Sequence, residues 1–198
     1  AKWKLAQKIV RAMPGTPAGK KMALKEKINR ADLAVLFAEE LKIGVLFDRM
    51  PVQNTGFQTP GQATQTANVT VPNDAINHWA ETWIKDMIRY GIMDIEPDGN
   101  FYPDDTINRA LYALAVQRLL VVATRDESIE TQYFGEAQSR FSDVPSSHFA
   151  YNAMALCTER GIMQVDMMTR KFNPAGDVTG ADALLIIREL QTSLRMTF

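Results

Sequence analysis

Carboxylates at alternate positions are the first feature of this chain that could do chemistry. Asp94, Glu96 and Asp98 alternate, Gly99 follows, and Asp105 closes a twelve-residue run. Alternating oxygen ligands between two helices are how a calcium loop is built, but such a loop ends on a bidentate glutamate. Pro97 interrupts the run and its last position is not Glu. The simpler reading of Asp98-Gly99 is a turn in which glycine supplies backbone angles that other residues avoid. His78 and His148 lie far apart at the starts of two helical patterns, with no spacing for a shared metal, so capping or surface roles suit them. Cys157 is the only cysteine, which excludes a disulfide framework and a cysteine metal cluster. With Ala153, Met154 and Leu156 around it, it reads as a small apolar helix residue and not as a reactive thiol. A nucleophile elbow, a phosphate-cradling glycine loop and an HExxH pair are all missing. Scattered acids do not make a catalytic pair. The expectation is a non-enzymatic protein with no cofactor and no metal.

The chain must therefore be understood through the elements it builds. Its 198 residues are 46% apolar and 23% charged, the balance of a soluble folded protein, and the net charge of −1 gives no electrostatic reason to expect nucleic acid or an anionic membrane as partner. No apolar run approaches the roughly 20 residues of a membrane-spanning helix. No export signal precedes Ala1, so a signal has been removed or the chain is an excised piece.

Internal repetition is the main signal. His78-Trp79-Ala80 recurs as His148-Phe149-Ala150, and Gly91-Ile92-Met93 as Gly161-Ile162-Met163. Phe101 and Pro103 correspond to Phe172 and Pro174, and Ile107-Asn108-Arg109-Ala110 to Val178-Thr179-Gly180-Ala181. Ile28-Asn29-Arg30-Ala31 adds a third, more divergent copy, with Trp3 standing where Trp79 does and a divergent loop at Pro14-Gly15-Thr16-Pro17.

Each copy reads as helix, loop, helix. Trp79, Trp83, Met87 and Ile88 fall on one helical face, as do Phe149, Ala153, Leu156 and Cys157. Trp3, Trp79 and Phe149 are expected to anchor the core rather than to stack on a ligand. Asn77 and Ser147 are expected to cap the first helices, and Gly91 and Gly161 to end them. The second helices begin after Asn29, Asn108 and Thr179, with Asp32 and Asp182 completing variant capping boxes where the second copy has Leu111. Ala31, Ala34, Val35, Ala38 and Leu41 form a narrow seam for close helix packing.

The expected organisation is repeat 1 over 1–50, a linker or long loop over 51–73, repeat 2 over 74–124, an insertion over 125–140, and repeat 3 over 141–198. The linker is rich in Thr, Gln, Asn, Gly and Pro. It contains Asn68-Val69-Thr70, which fits a short glycosylation pattern. The insertion carries Ile129, Tyr133 and Phe134 and has room for one short helix.

These landmarks together resemble the S-layer homology family. The family's Phe-x-Asp-Val opening is seen as Phe141-Ser142-Asp143-Val144, and its Asp-Gly-x-Phe-x-Pro loop as Asp98-Gly99-Asn100-Phe101-Tyr102-Pro103. The resemblance implies an all-α fold of three helix–loop–helix repeats in a pseudo-threefold bundle, with glycan-binding grooves between lobes. It implies a module that anchors an exported protein at the bacterial cell wall, periplasm or cell surface. The expected partner is a cell-wall polysaccharide, often pyruvylated, or a modified peptidoglycan, with other envelope proteins as further partners. The family's binding arginine, which follows the Ile-Thr position, falls on Arg30 and Arg109, while the third copy has Gly180. Asn29 and Asn108 occupy the preceding position, and Asp98 completes the candidate glycan-binding set. An arginine at the first turn of a helix suits a carboxylated sugar, because its planar fork pairs bidentately and the helix amides add positive potential. A protein-interaction or assembly scaffold with a decayed glycan site is the alternative, and the ten methionines would suit it.

Overall fold

A computed structural model describes residues 2–48 and 71–197. Most of the 51–73 linker, including Asn68-Val69-Thr70, lies outside the described residues. Among those described, the regular structure is helical, with only isolated bridges between extended residues. In chain order the helices are α1 (Lys2–Ala12), α2 (Pro17–Met22), α3 (Arg30–Glu40), α4 (Ile43–Asp48), α5 (Glu81–Arg89), α6 (Arg109–Thr124), α7 (Tyr151–Glu159) and α8 (Gly180–Thr197).

The starts of α3, α6 and α8 are fixed by local chemistry. The Asn29 side chain accepts from the Asp32 amide at 2.8 Å while Asp32 accepts from the Asn29 amide at 3.1 Å, a complete capping box. Asn108 accepts from Leu111 at 2.9 Å, and Thr179 from Asp182 at 3.1 Å. Asp32 is fully buried, and its charge is met by the Lys25 ammonium at 2.7 Å.

These three helices meet in the core. On α6, Tyr112 packs edge-on against Phe37 of α3 with ring centres 6.0 Å apart, and its hydroxyl donates to the Ala183 carbonyl of α8 at 3.0 Å. Backbone bonds also link the turns that precede them. The amide of Arg30 donates to Asp105, that of Arg109 to Gly176, and that of Gly180 to Lys25, each at 2.9 Å. α3 is thereby tied to the loop before α6, α6 to the loop before α8, and α8 to the segment before α3, so the three ties run round in a closed ring.

The shorter helices complete this arrangement in an order the sequence does not display. α5 packs mainly on α3, α7 on α6, and α1 on α8. A helix–loop–helix stretch such as α5 to α6 or α7 to α8 is therefore not a packing unit, because its loop carries the chain across to another part of the bundle. The α1–α8 contact joins the two ends of the described chain.

Two local expectations are corrected here. Trp79, Phe149 and Trp3 are not core anchors; they are 51%, 70% and 74% exposed. The core face of α5 begins one residue later, with Ala80, Ile84 and Met87 fully buried. The small Ala80 sits at the helix contact and its bulky neighbour is turned outward. Ala150 is buried in the same way at the start of α7, where Tyr151 through Cys157 are all buried. Nor do Asn77 and Ser147 cap these helices. The helix-start residues are Ala80 and Ala150, and their amides are accepted by Nδ1 of His78 at 3.2 Å and of His148 at 3.1 Å. Asn77 is left-handed, and its amide donates to Glu81 at 2.7 Å.

Gly91 and Gly161 end α5 and α7 with φ of +69° and +68°, where a side chain would be strained. The 125–140 insertion holds a 3-10 turn at Glu127–Glu130. Asn152 pins this insertion: it accepts from the Tyr133 amide at 2.8 Å and donates to the Ile129 carbonyl at 2.8 Å and to Gln117 at 2.7 Å. Cys157 is fully buried, and burial pushes its thiol up to about 12.

Candidate functional site

Arg30 and Arg109 occupy equivalent places, each between the first turn of its helix and the loop ahead of the next long helix. Arg30 leaves the first turn of α3 and lies over the Phe101 ring, 4.6 Å from its centre. Its Nε donates to the Phe101 carbonyl at 2.7 Å and one terminal nitrogen to the Asp94 carbonyl at 2.9 Å. Arg109 leaves the first turn of α6 and repeats this against the next loop. It lies 4.6 Å from the centre of the Phe172 ring and donates to the carbonyls of Phe172 at 2.8 Å and Gln164 at 2.6 Å. Only a planar, multi-donor side chain can stack on a ring and bond two carbonyls at once.

Aspartates at the openings of the two repeats hold these loops from the other side. Asp74 accepts from the amides of Phe101 at 2.9 Å and Tyr102 at 2.6 Å. Asp143 accepts from Phe172 at 2.9 Å and Asn173 at 2.8 Å. Phe101 and Phe172 are buried between their aspartate and their arginine. Sequence reasoning quoted Asp143 within Phe-x-Asp-Val without giving it a role. It passed over Asp74, where the opening reads Pro72-Asn73-Asp74-Ala75 and proline replaces the aromatic landmark.

The Arg30 guanidinium faces a groove between the 92–106 loop and α6. Glu96, Pro97, Asp98, Tyr102, Asp105 and Leu111 line one part of it. Burial lowers the affinity of Arg30 for its proton, and the carboxylates of Glu96, Asp105, Asp94 and Asp74 work against that. Burial acts likewise on Arg109, opposed by Asp182 and Asp143. Both remain cations, as arginines do in proteins. The carboxylates of the calcium-like run are engaged with neighbours: Asp94 with Arg118 at 2.5 Å, Glu96 3.8 Å from Arg30, and Asp98 with Asn100 and the Tyr102 hydroxyl. Among the described residues, no group of three or more His, Cys, Asp or Glu side chains could hold a metal ion, and no helix is long and apolar enough to cross a membrane.

The structure thus brings Asp98 into the groove of Arg30. Asn29 and Asn108 stand beside the arginines, but their carboxamide oxygens are committed to capping. The third junction is built differently. Met22 takes the sequence position of Phe101 and Phe172, and its carbonyl oxygen fills the space a Cβ on Gly180 would need. Where two junctions have an arginine reaching for a loop carbonyl, the third has that carbonyl pressed against the helix itself.

The S-layer homology domain model matches residues 73–110 and 140–184. The first segment ends just past Arg109 and the second runs from Arg140 into α8. The match does not extend to residues 1–50. No curated protein matches the chain at a significant level.

Proposed function

We propose that this chain, with its two segments of S-layer homology type, is a non-catalytic anchoring module. It binds a cell-wall glycan and tethers an exported protein to a bacterial envelope. The observation that carries this reading is the repeated arginine site: two guanidinium groups, each held in one orientation at the mouth of an inter-repeat junction. Three repeats about one axis, with residues 1–50 as the divergent first copy, account for the closed ring of backbone ties. They also account for the matching geometry of Arg30 and Arg109.

The two arginine sites differ in what they suit. The surroundings of Arg109 are the less acidic, since Gln164 stands where Asp94 does and two carboxylates act on it against four on Arg30. A carboxylate-bearing sugar, such as a pyruvylated unit, is better placed at Arg109, and a neutral unit at Arg30. The start of α8 at Gly180 has no room for the same chemistry, so the module has two arginine sites and no third.

Sedimentation with purified bacterial cell-wall sacculi, before and after chemical stripping of accessory glycans, tests the reading. Binding that stripping abolishes supports a glycan anchor. Equal binding to stripped and intact sacculi places the ligand in peptidoglycan. Failure to sediment with either overturns the anchor and favours the envelope scaffold, for which the solvent-exposed Met167, Met168 and Phe134 offer a contact surface.

A further inference from the structure

Trp79 and Phe149 hold one repeat position, and their rings, like that of Trp3, stay largely in solvent. Burying apolar surface stabilises a fold by about 25 cal/mol per Å², and here folding leaves that gain unused three times. In the second repeat the ring is set in a polar frame. Trp79 lies beside His78, ring centres 5.6 Å apart, and beside Trp83 at 6.2 Å. The Trp83 indole donates to Glu39 of α3 at 3.0 Å, which holds that ring in place. The His78 ring is held through its Nδ1, and its Nε2 lies 3.8 Å from a carboxylate oxygen of Asp104. The same oxygen accepts from the Asn29 carboxamide at 3.3 Å. Asp104 itself is largely exposed.

We propose that Trp79 and the adjoining His78, which leads on to Asp104 and Asn29, form a pyranose-stacking subsite. It takes a neutral or N-acetylated sugar unit of an envelope glycan. A pyranose displays an apolar face of C–H groups and a rim of hydroxyls. The half-exposed indole offers the flat apolar partner, and the neighbouring imidazole, with the carboxylate and carboxamide linked to it, accepts from and donates to those hydroxyls. That polar rim distinguishes the site from a bare apolar docking face. None of Trp79, Asp104 and Asn29 lines the Arg30 groove, but the 101–106 loop serves both places, so one glycan chain can reach from one to the other. The third repeat keeps a stacked pair, His148 on Phe149 at 4.5 Å, but has Ala175 where Asp104 stands, so the subsite belongs to the second repeat. The proposal rests on the glycan-anchor reading.

The test titrates the whole chain with polysaccharide released from purified bacterial sacculi. Indole N–H resonances are followed by heteronuclear NMR, with the Trp79 signal assigned through Trp79→Phe. The Trp79 signal is expected to shift on binding, Trp79→Ala to weaken affinity about tenfold, and Trp79→Phe to retain most of it. Asp104→Asn is expected to weaken binding severalfold with an unchanged thermal midpoint. If Trp79→Ala binds as tightly as the parent and the indole signal stays still, the subsite is wrong and the anchor reading stands. If the parent binds no wall polysaccharide, both fall. If the Trp79 signal moves with protein concentration alone, the ring contacts a second copy of the chain and the subsite is again overturned.

Discussion

Arg30 stacks on the ring of Phe101 and bonds that same residue's carbonyl, and Arg109 does both to Phe172. One side chain thus fixes a loop of the next repeat by its face and by its backbone. An arginine that only waited for ligand would not need both ties.

The first prediction follows from this double hold. Arg30→Ala and Arg109→Ala each release charge-assisted bonds to loop carbonyls and should cost about 1.5–3 kcal/mol of stability. This differs from the expectation for a freely displayed binding arginine, whose loss would leave stability nearly unchanged. Arg→Lys should recover little of it, since a point charge cannot stack and fork together. Urea denaturation midpoints measure the effect. Affinity for wall fragments should be compared only on variants shown to be folded.

The half-exposed Trp79 and the buried Ile84 make a second, paired prediction. Trp79→Ala should change stability by about 1 kcal/mol or less, as surface changes do. Ile84→Ala should cost about 2–5 kcal/mol, because it opens a cavity between α5 and α3. Chemical denaturation of the two variants side by side gives the contrast, and equal losses would place Trp79 in the core after all.

At Gly180 local propensity and tertiary packing disagree in sign. Helix propensity alone favours Gly180→Ala by up to about 1 kcal/mol. The Met22 carbonyl occupies the space of the new methyl group, so the net result should be a loss of about 1–3 kcal/mol. Gly180→Arg, which restores the motif, should be worse still and add no binding site. Thermal unfolding and binding stoichiometry check the two parts.

The thiol of Cys157 gives a pH-dependent prediction. Burial raises the folded-state value to about 12, above the ordinary thiol value of the unfolded chain. The stabilisation is therefore complete below about pH 9 and is lost as pH rises from there toward the folded value, because only the unfolded chain ionises. Tyr112, also raised well above its ordinary value by burial, acts in the same direction. Cys157→Ala should flatten part of the alkaline fall in the urea midpoint. In the native protein iodoacetamide should label Cys157 only through unfolding.

Local chemistry was legible in the sequence. Asn29, Asn108 and Thr179 cap their helices as their types and spacing require, and Gly91 and Gly161 end theirs. The repeat itself placed Arg30 and Arg109 at equivalent positions, because a cap, a helix start and a turn each depend on a few neighbouring residues. The inward stripes of α5 and α7 were legible along their length, since Met87, Ala153, Leu156 and Cys157 are buried, but not where they begin. Periodicity fixes a stripe's spacing but not its first residue, and the close approach of neighbouring helices selected Ala80 and Ala150 over the larger rings beside them. Partnership across repeats was hidden as well. The placing of α5 on α3, α7 on α6 and α1 on α8, the grip of Arg30 on Phe101, and the closing of the third junction by Met22 join residues tens of positions or more apart. Those pairings are set by which surfaces fit together once the helices exist, and only the tertiary structure decides them.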